Sequence, residues 1–134
     1  MREVSSTLRG ATVLLVDDEA DALCVLEDFL SATGARLITA RSADEAMTAF
    51  TEHKPDVIVS DISMPDGDGY QLIRRVRART AADGGTTPAI AVTAHTGATA
   101  HTRALLAGFQ AHLGKPIKPF ELVATIHQLV GMRD

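Results

Sequence analysis

Length, composition and charge exclude several classes of protein. The chain has 134 residues, of which 46% are hydrophobic and 22% charged, and its formal net charge is −4 at pH 7. These values fit one globular domain, and the negative charge argues against a nucleic-acid ligand. No apolar run approaches the roughly 20 residues of a membrane span. A single cysteine and an N-terminus without a signal-peptide core favour the cytoplasm.

Short apolar runs alternate with amphipathic stretches along the chain. Residues 1–10 show no periodicity and are predicted to be a flexible lead-in to one domain over residues 11–132. The apolar runs predict five buried parallel strands, at residues 11–16, 36–40, 57–60, 89–93 and 111–114. A helix is predicted after each strand. This alternation predicts an α/β fold with a parallel sheet and helices on both faces.

Local signals place several helix ends. Ser42 and Glu45 form a capping box before the second helix, and Pro119 occupies the first turn of the last. The third helix is predicted to begin at about Tyr70, after a turn rich in Pro and Gly. Its arginines are interpreted as a solvated helix face rather than a nucleic-acid patch, and they include Arg74 and Arg77.

Polar side chains follow four of the five predicted strands. Asp17 and Asp18 follow the first, Asp61 follows the third, Thr93 ends the fourth and Lys115 follows the fifth. Because functional sites of parallel sheets lie at the carboxyl ends of the strands, we expect these side chains to converge. Clustered carboxylates repel one another unless a cation is present. Oxygen ligands without His or Cys favour Mg²⁺, with Mn²⁺ as a substitute.

This set of groups suits phosphoryl transfer. A carboxylate such as Asp61 can attack phosphorus while a metal ion and Lys115 offset the developing charge, and Thr93 can donate a hydrogen bond to the transferred group. Each residue also has an ordinary structural interpretation: Asp18 as a helix cap, Asp61 as a turn residue, and Thr93 and Lys115 as strand-end or surface residues. Their joint occurrence favours a site.

Four motifs resemble those of one known family, in residue type, order and spacing. They are LVDDE at residues 15–19, VSDISMP at 59–65 followed by Gly69, AVTA at 91–94 and GKPI at 114–117. The chain resembles the receiver domains of two-component response regulators over residues 11–132. The resemblance implies a flavodoxin-like doubly wound sheet of strand order 2-1-3-4-5 with five helices.

The resemblance also implies specific roles. Asp61 is expected to accept a phosphoryl group from a phosphohistidine on a sensor histidine kinase or a histidine phosphotransfer protein. Asp18, Asp61 and the backbone carbonyl of Ser63 are expected to bind Mg²⁺ directly, with Asp17 acting through water. Thr93 would contact the phosphoryl group, as would Lys115.

Signalling is expected through the face formed by the fourth helix, the fifth strand and the fifth helix. The resemblance implies that Thr93 and Lys115 couple the phosphoryl group to this face, and that the peptide before Pro116 is cis. At the position where many members carry the Tyr or Phe of the switch, this chain has His112, whose ring is smaller and titratable. That substitution places the usual Thr-aromatic switch in doubt. Ser63 and His95 occupy positions that tune the lifetime of the acyl phosphate in this family.

Two other functions have a partial basis in the sequence. A Mg²⁺-dependent aspartyl phosphohydrolase of similar fold would need a carboxylate two residues after Asp61, where Ser63 stands. A receiver that signals without phosphorylation is disfavoured because every expected ionisable group is present. The sequence leaves open whether the chain is a single-domain response regulator or the receiver module of a hybrid sensor kinase. It also leaves open the downstream protein partner and a homodimer through the fourth and fifth helices.

Overall fold

The computed structural model describes residues 7–64, 68–95 and 97–131. Five strands occur in these ranges: β1 Thr12–Val16, β2 Arg36–Ala40, β3 Val57–Asp61, β4 Ala89–Thr93 and β5 Ala111–Gly114. The α-helices of the same ranges are α1 Ala20–Ser31, α2 Ala43–His53, α3 Asp68–Arg77, α4 Ala98–Ala107 and α5 Pro119–Gly131. The predicted order of elements is confirmed, and α3 begins two residues before the predicted position.

The strands form one parallel sheet of order β2-β1-β3-β4-β5, which confirms the predicted topology. Strand order reverses at β1, which lies between β2 and β3. In such a sheet the crevice beyond the carboxyl ends of the strands at this reversal is the usual ligand site.

Two hydrophobic clusters cover the two faces of the sheet. Alternate residues of a strand point to opposite faces, so Leu14 and Val16 of β1 pack against α2, α3 and α4. Val13 and Leu15 of the same strand pack against α1 and α5. Because both faces are covered, the central strands are apolar at almost every position, and the first polar residue after each apolar run marks the edge of the core.

Arg77 corrects one interpretation of the sequence. Its guanidinium turns inward, donating from Nε to the carbonyl of Gly108 at 2.9 Å and from a terminal nitrogen to the carbonyls of Gly85 and Thr87 at 2.9 and 2.6 Å. The other terminal nitrogen donates to Oε1 of Gln110 at 2.9 Å. Burial lowers the pKa of Arg77. The side chain therefore ties α3 to the loops before β4 and β5, and only part of the arginine cluster is a solvated face.

Part of the predicted lead-in packs on the domain. Leu8 is only 3% exposed, and its N–H donates to the carbonyl of Thr33 at 2.9 Å. Residues 1–6, the predicted turn over 65–67 and the predicted end of the domain at Met132 lie outside the described residues. The domain bounds therefore stay a prediction. Among the helices that the structure describes, none is long and apolar enough to cross a membrane.

Candidate functional site

Three aspartates meet at the carboxyl end of the sheet. Asp17, Asp18 and Asp61 each place a carboxylate oxygen within 4.8 Å of the others. Asp17 and Asp61 are buried, whereas Asp18 is half-buried. The structure thus brings together the carboxylates that the sequence placed at the ends of two different strands.

The parallel register fixes the backbone around these residues. Hydrogen bonds between neighbouring strands continue one residue past the strand ends, which sets the direction of each functional side chain. They are Asp17 N–H to the Ala40 carbonyl at 3.1 Å, Ile62 N–H to the Val92 carbonyl at 2.9 Å and Lys115 N–H to the Thr93 carbonyl at 2.8 Å. The site is therefore positioned by the sheet itself.

The acidic loop after β1 is held by local bonds. Oδ1 of Asp17 accepts the N–H of Glu19 at 2.9 Å, and the guanidinium of Arg41 donates to the backbone carbonyl of Asp18 at 2.9 Å. The N-cap of α1 is Glu19, without a side-chain capping bond. The alternative in which Asp18 caps the first helix is therefore not what the structure shows.

The pKa of Asp17 is raised above its usual value. Burial is the largest cause, and the negative charges of Asp61 and Asp18 add to it. The Glu19 N–H and the charge of Lys115 act in the opposite direction without cancelling the rise. Asp17 is therefore harder to ionise in the fold than in water, mainly because it is buried.

Lys115 is the cation of the site. Its Nζ lies 2.9 Å from Oδ2 of Asp61 and 3.7 Å from Oδ2 of Asp17. Burial lowers the pKa of Lys115, but the hydrogen bond and charge of Asp61, together with the charge of Asp17, outweigh it, and the net pKa is raised. The Lys115–Pro116 peptide is cis, as the resemblance implied. The ammonium group is thus held charged against the carboxylates.

Both oxygens of Asp61 are oriented by the protein. Oδ2 accepts from Lys115, and Oδ1 accepts the backbone N–H of Ser63 at 2.7 Å. Gly69 in the first turn of α3 lies against this loop: a Cβ there would be 2.4 Å from Cα of Ile62 and 2.6 Å from the carbonyl oxygen of Asp61. The loop can follow this path because Gly69 has no side chain.

Thr93 is buried, and its hydroxyl is turned toward the loop after β3. Its Oγ1 lies 2.9 Å from Oγ of Ser63 and accepts the N–H of His95 at 3.0 Å. These three residues line a cavity of about 250 Å³ between α3 and α4, together with Arg103, whose guanidinium lies 5.1 Å from the ring centre of Tyr70. Sequence reasoning singled out Thr93 and Ser63 separately and missed the bond between them, because a hydroxyl contact between a strand end and a loop carries no periodic signal.

His112 lies on β5 opposite Ala91 of β4. Its ring centre is 5.6 Å from that of His101 on α4, with an interplanar angle of 49°. Its Nε2 is buried and has no hydrogen-bond partner within the described ranges. The residue at the predicted switch position therefore presents an unsatisfied polar atom beneath α4.

The donor set fits a hard divalent cation. Three carboxylates within 4.8 Å of one another face the ammonium group of Lys115, and among the described residues no sulfur or imidazole ligand joins the cluster. Oxygen-only sets of this kind suit Mg²⁺ or Mn²⁺ better than zinc. Asp17, Asp18 and Asp61 could hold such an ion. That the backbone carbonyl of Ser63 also binds the ion stays a prediction.

An apolar groove of about 380 Å³ opens beside the acidic cluster, between α1 and the segment that leads into α5. Asp17 and Lys115 line the end of the groove nearest the site. Val25 is 68% exposed and Phe120 69% exposed, and the Phe120 ring meets the Phe29 ring edge-on at 6.0 Å. Large apolar side chains are thus exposed to solvent on the surface beside the acidic cluster.

Comparison with known proteins identifies the family. Residues 13–127 match the model of the response regulator receiver domain. An uncharacterised 14.6 kDa protein of Leptolyngbya boryana is 38% identical over 91% of this chain and 92% of its own length. The solved receiver domain of the Francisella response regulator 1452 superposes with a TM-score of 0.84 at 25% identity, over 93% of this chain and 100% of that one. The chain belongs to the response regulator receiver domains, the signalling modules of two-component systems.

Other relatives are longer than the matched region. The transcriptional regulatory protein PrrA of Mycobacterium tuberculosis is 36% identical over 90% of this chain, which spans 50% of PrrA. In the hybrid signal transduction histidine kinase D of Dictyostelium discoideum, at 32% identity, the match covers 92% of this chain and 8% of the kinase. The similarity therefore concerns the receiver module, which occurs both in regulators and in hybrid kinases.

Proposed function

We propose that this receiver domain is a phosphoacceptor, and that Asp61 takes a phosphoryl group from the phosphohistidine of a sensor histidine kinase or a histidine phosphotransfer protein. One observation carries the proposal: the Asp61 carboxylate is oriented at both oxygens, by Ser63 N–H and Lys115 Nζ, inside a cluster of two further carboxylates. A turn residue would need none of this. We further propose that the domain spans residues 11–132 and acts in the cytoplasm.

The positions of these groups support the transfer. A carboxylate oxygen of Asp61 forms a bond to phosphorus as the phosphorus–nitrogen bond of the phosphohistidine breaks, and its electron pair stays on the imidazole nitrogen. The ammonium group of Lys115 offsets negative charge on the phosphoryl oxygens, and the Thr93 hydroxyl donates to one of them. The same groups support the slower attack of water that returns Asp61 to its free form.

A divalent cation belongs to this proposal. Asp18, Asp61 and the backbone carbonyl of Ser63 would bind Mg²⁺ directly, with Asp17 acting through water and Mn²⁺ as a substitute. When bound, such an ion neutralises charge on the phosphoryl oxygens. The three clustered carboxylates support a cation there.

The apolar groove between α1 and α5 is where we propose that the phosphodonor protein docks. It ends at Asp17 and Lys115, so a partner seated in it would carry its phosphohistidine toward Asp61. Exposed Val25 and Phe120 are the kind of apolar display that marks protein interaction sites.

The output would be read on the opposite side of the site. Thr93 and Lys115 sit at the ends of β4 and β5, and His112 lies under α4, so movement at the phosphoryl group would reach the face of α4, β5 and α5. We propose that an unidentified downstream protein, or a second copy of the chain in a homodimer, reads this face. No nucleic acid or membrane is proposed as a direct ligand.

The alternative functions have less support. A phosphohydrolase would want a general acid two residues after the nucleophile, and that position holds Ser63, whose hydroxyl is engaged with Thr93. A receiver that works without phosphorylation would have no use for a lysine held at 2.9 Å from the acceptor carboxylate.

Intact-mass spectrometry after incubation with Mg²⁺ and acetyl phosphate tests the proposal. We expect one added phosphoryl group on the wild type, none without Mg²⁺ and none on Asp61→Asn. Asp44→Asn is the matched control, because its side chain is exposed and pairs with Arg75 away from the site. A wild type that gains no phosphoryl group, and releases no phosphate from the donor, would contradict the phosphoacceptor function.

A further inference from the structure

Ser63 makes two different contacts at the site. Its backbone N–H donates to Oδ1 of Asp61 at 2.7 Å, and its side-chain Oγ lies 2.9 Å from Oγ1 of Thr93. The first contact orients the acceptor, whereas the second holds the group proposed to recognise the phosphoryl group. Ser63 therefore contacts both Asp61 and Thr93. A substitution of its side chain can remove the contact with Thr93 while the backbone contact with Asp61 remains.

The Thr93 hydroxyl contacts Ser63 and His95 in this structure. It bonds to Ser63 and accepts from the His95 N–H at 3.0 Å. Within the described residues, the hydrogen bonds to the Asp61 carboxylate come from Ser63 N–H and Lys115 Nζ, not from Thr93. The Ser63 contact therefore holds Oγ1 of Thr93 beside the loop after β3, and a movement of Thr93 toward a group on Asp61 would lengthen that contact.

Resting on the proposed function, we propose that the Ser63 hydroxyl is a latch that holds Thr93 in its unphosphorylated position and so sets how readily the domain switches. A contact made in only one of two states shifts the equilibrium toward that state by its net strength. Ser63 is then a positioning residue, because it acts through Thr93. Its effect is on the equilibrium between the two states and is separate from the survival time of the phosphoryl group.

Fluoroberyllate, a phosphoryl mimic that binds an aspartate together with Mg²⁺, provides the test. Its affinity is measured by calorimetry, and the γ-methyl signal of Thr93 is followed by NMR, for the wild type, Ser63→Ala and Ser63→Thr. Loss of the latch should make Ser63→Ala bind roughly five- to tenfold more tightly, the strength of one ordinary hydrogen bond. Ser63→Thr keeps a hydroxyl and should bind like the wild type.

A double-mutant cycle separates the latch from a local packing or solvent effect. In a Thr93→Ala background the latch has no partner, so Ser63→Ala should leave the fluoroberyllate affinity unchanged. The latch is overturned if Ser63→Ala binds no more tightly than the wild type, or if its effect persists in the Thr93→Ala background. A wild type that neither binds fluoroberyllate nor becomes phosphorylated would instead overturn the proposed function, and the latch with it.

Discussion

Lys115 and Asp61 form the central ion pair of the site, with Nζ 2.9 Å from Oδ2. Lys115 follows β5 and Asp61 is the last residue of β3, and these two strands are separated in the sheet by β4. The same ammonium group lies 3.7 Å from Asp17, so one cation serves two buried carboxylates. The ion pair therefore joins the chemistry of the acceptor to the strand that carries the proposed switch.

Replacing Lys115 tests whether the ion pair stabilises the fold and whether it speeds phosphorylation. Lys115→Ala leaves the carboxylates without their cation, and we expect the metal-free protein to lose about 1.5–3 kcal/mol of unfolding free energy, the range for hydrogen bonds to charged groups. Phosphorylation by acetyl phosphate should slow by at least roughly tenfold. Urea unfolding and intact-mass kinetics measure the two effects. The exposed Lys118→Ala is the control, and equal behaviour of the two variants would contradict the assigned role.

Asp17 predicts a pH dependence whose sign follows from its raised pKa. The folded pKa exceeds the unfolded one, so the contribution of Asp17 to stability is full below the unfolded pKa, about 4, and is lost as pH rises through the folded value. At neutral pH without Mg²⁺, ionised Asp17 therefore costs stability.

Asp17→Asn removes that cost. We expect the variant to be more stable than the wild type at neutral pH in EDTA, and the difference to shrink toward about pH 4. Added Mg²⁺ should stabilise the wild type more than the variant. Urea unfolding across pH measures this, with the exposed Asp28→Asn as control. A stability difference between the variant and the wild type that grew toward acid pH would contradict a raised pKa of Asp17.

Gly69 is predicted to be essential to the loop of the acceptor. A Cβ at this position would meet the Ile62 backbone at 2.4 Å, so Gly69→Ala must displace the loop that carries Asp61. We expect a loss of about 1–3 kcal/mol in stability and slower phosphorylation. Gly131→Ala is the control, since its Cβ would meet nothing within 4 Å. An unperturbed Gly69→Ala would show that the loop has another path.

If the groove is the docking site, a substitution beside it should slow transfer from a protein phosphodonor and leave transfer from a small-molecule phosphodonor unchanged. Phe120→Ser removes a ring that is 69% exposed and that packs against Phe29, a residue of the groove lining, outside the acidic cluster. We expect transfer from a purified histidine kinase that phosphorylates the wild type to fall about tenfold, the loss typical of an interface contact worth more than 1 kcal/mol. Phosphorylation by acetyl phosphate should not change. Leu106→Ser, on α4 and 83% exposed, is the control. Equal losses with both donors would place the effect in the chemistry rather than in docking.

His112 offers a stabilising substitution. Its Nε2 is buried without a partner in the part of the chain that the structure describes, and such a group costs free energy. His112→Phe replaces it with an apolar ring, and we expect a gain of about 1 kcal/mol in thermal or urea unfolding. His127→Phe, on the exposed face of α5, should show no such gain. A less stable His112→Phe would indicate that the nitrogen is satisfied in solution.

The sequence predicted the sheet from its alternation of apolar runs and amphipathic stretches. It predicted the convergence of Asp17, Asp61 and Lys115 from their positions at the ends of those runs. Buried parallel strands are apolar on both faces, so the residue at which each run stops is visible without a structure. The inward turn of Arg77 was not predictable, since a helical pattern does not show which arginine finds carbonyl partners at 2.6–2.9 Å. The Ser63–Thr93 contact was missed for a similar reason, because it depends on the side-chain rotamers of a loop residue and of the last residue of β4.

The hydrogen bonds that continue past the strand ends have a consequence for sequence change. Because Asp17, Ile62 and Lys115 are each tied by backbone to the neighbouring strand, inserting or deleting one residue within β1, β3 or β5 would invert the side chains that follow and dismantle the site. The loop before β4, at the other end of the sheet, lies far from this constraint. Insertions and deletions among relatives should therefore occur mainly in the loops at the amino-terminal edge of the sheet, while the strands keep a fixed length.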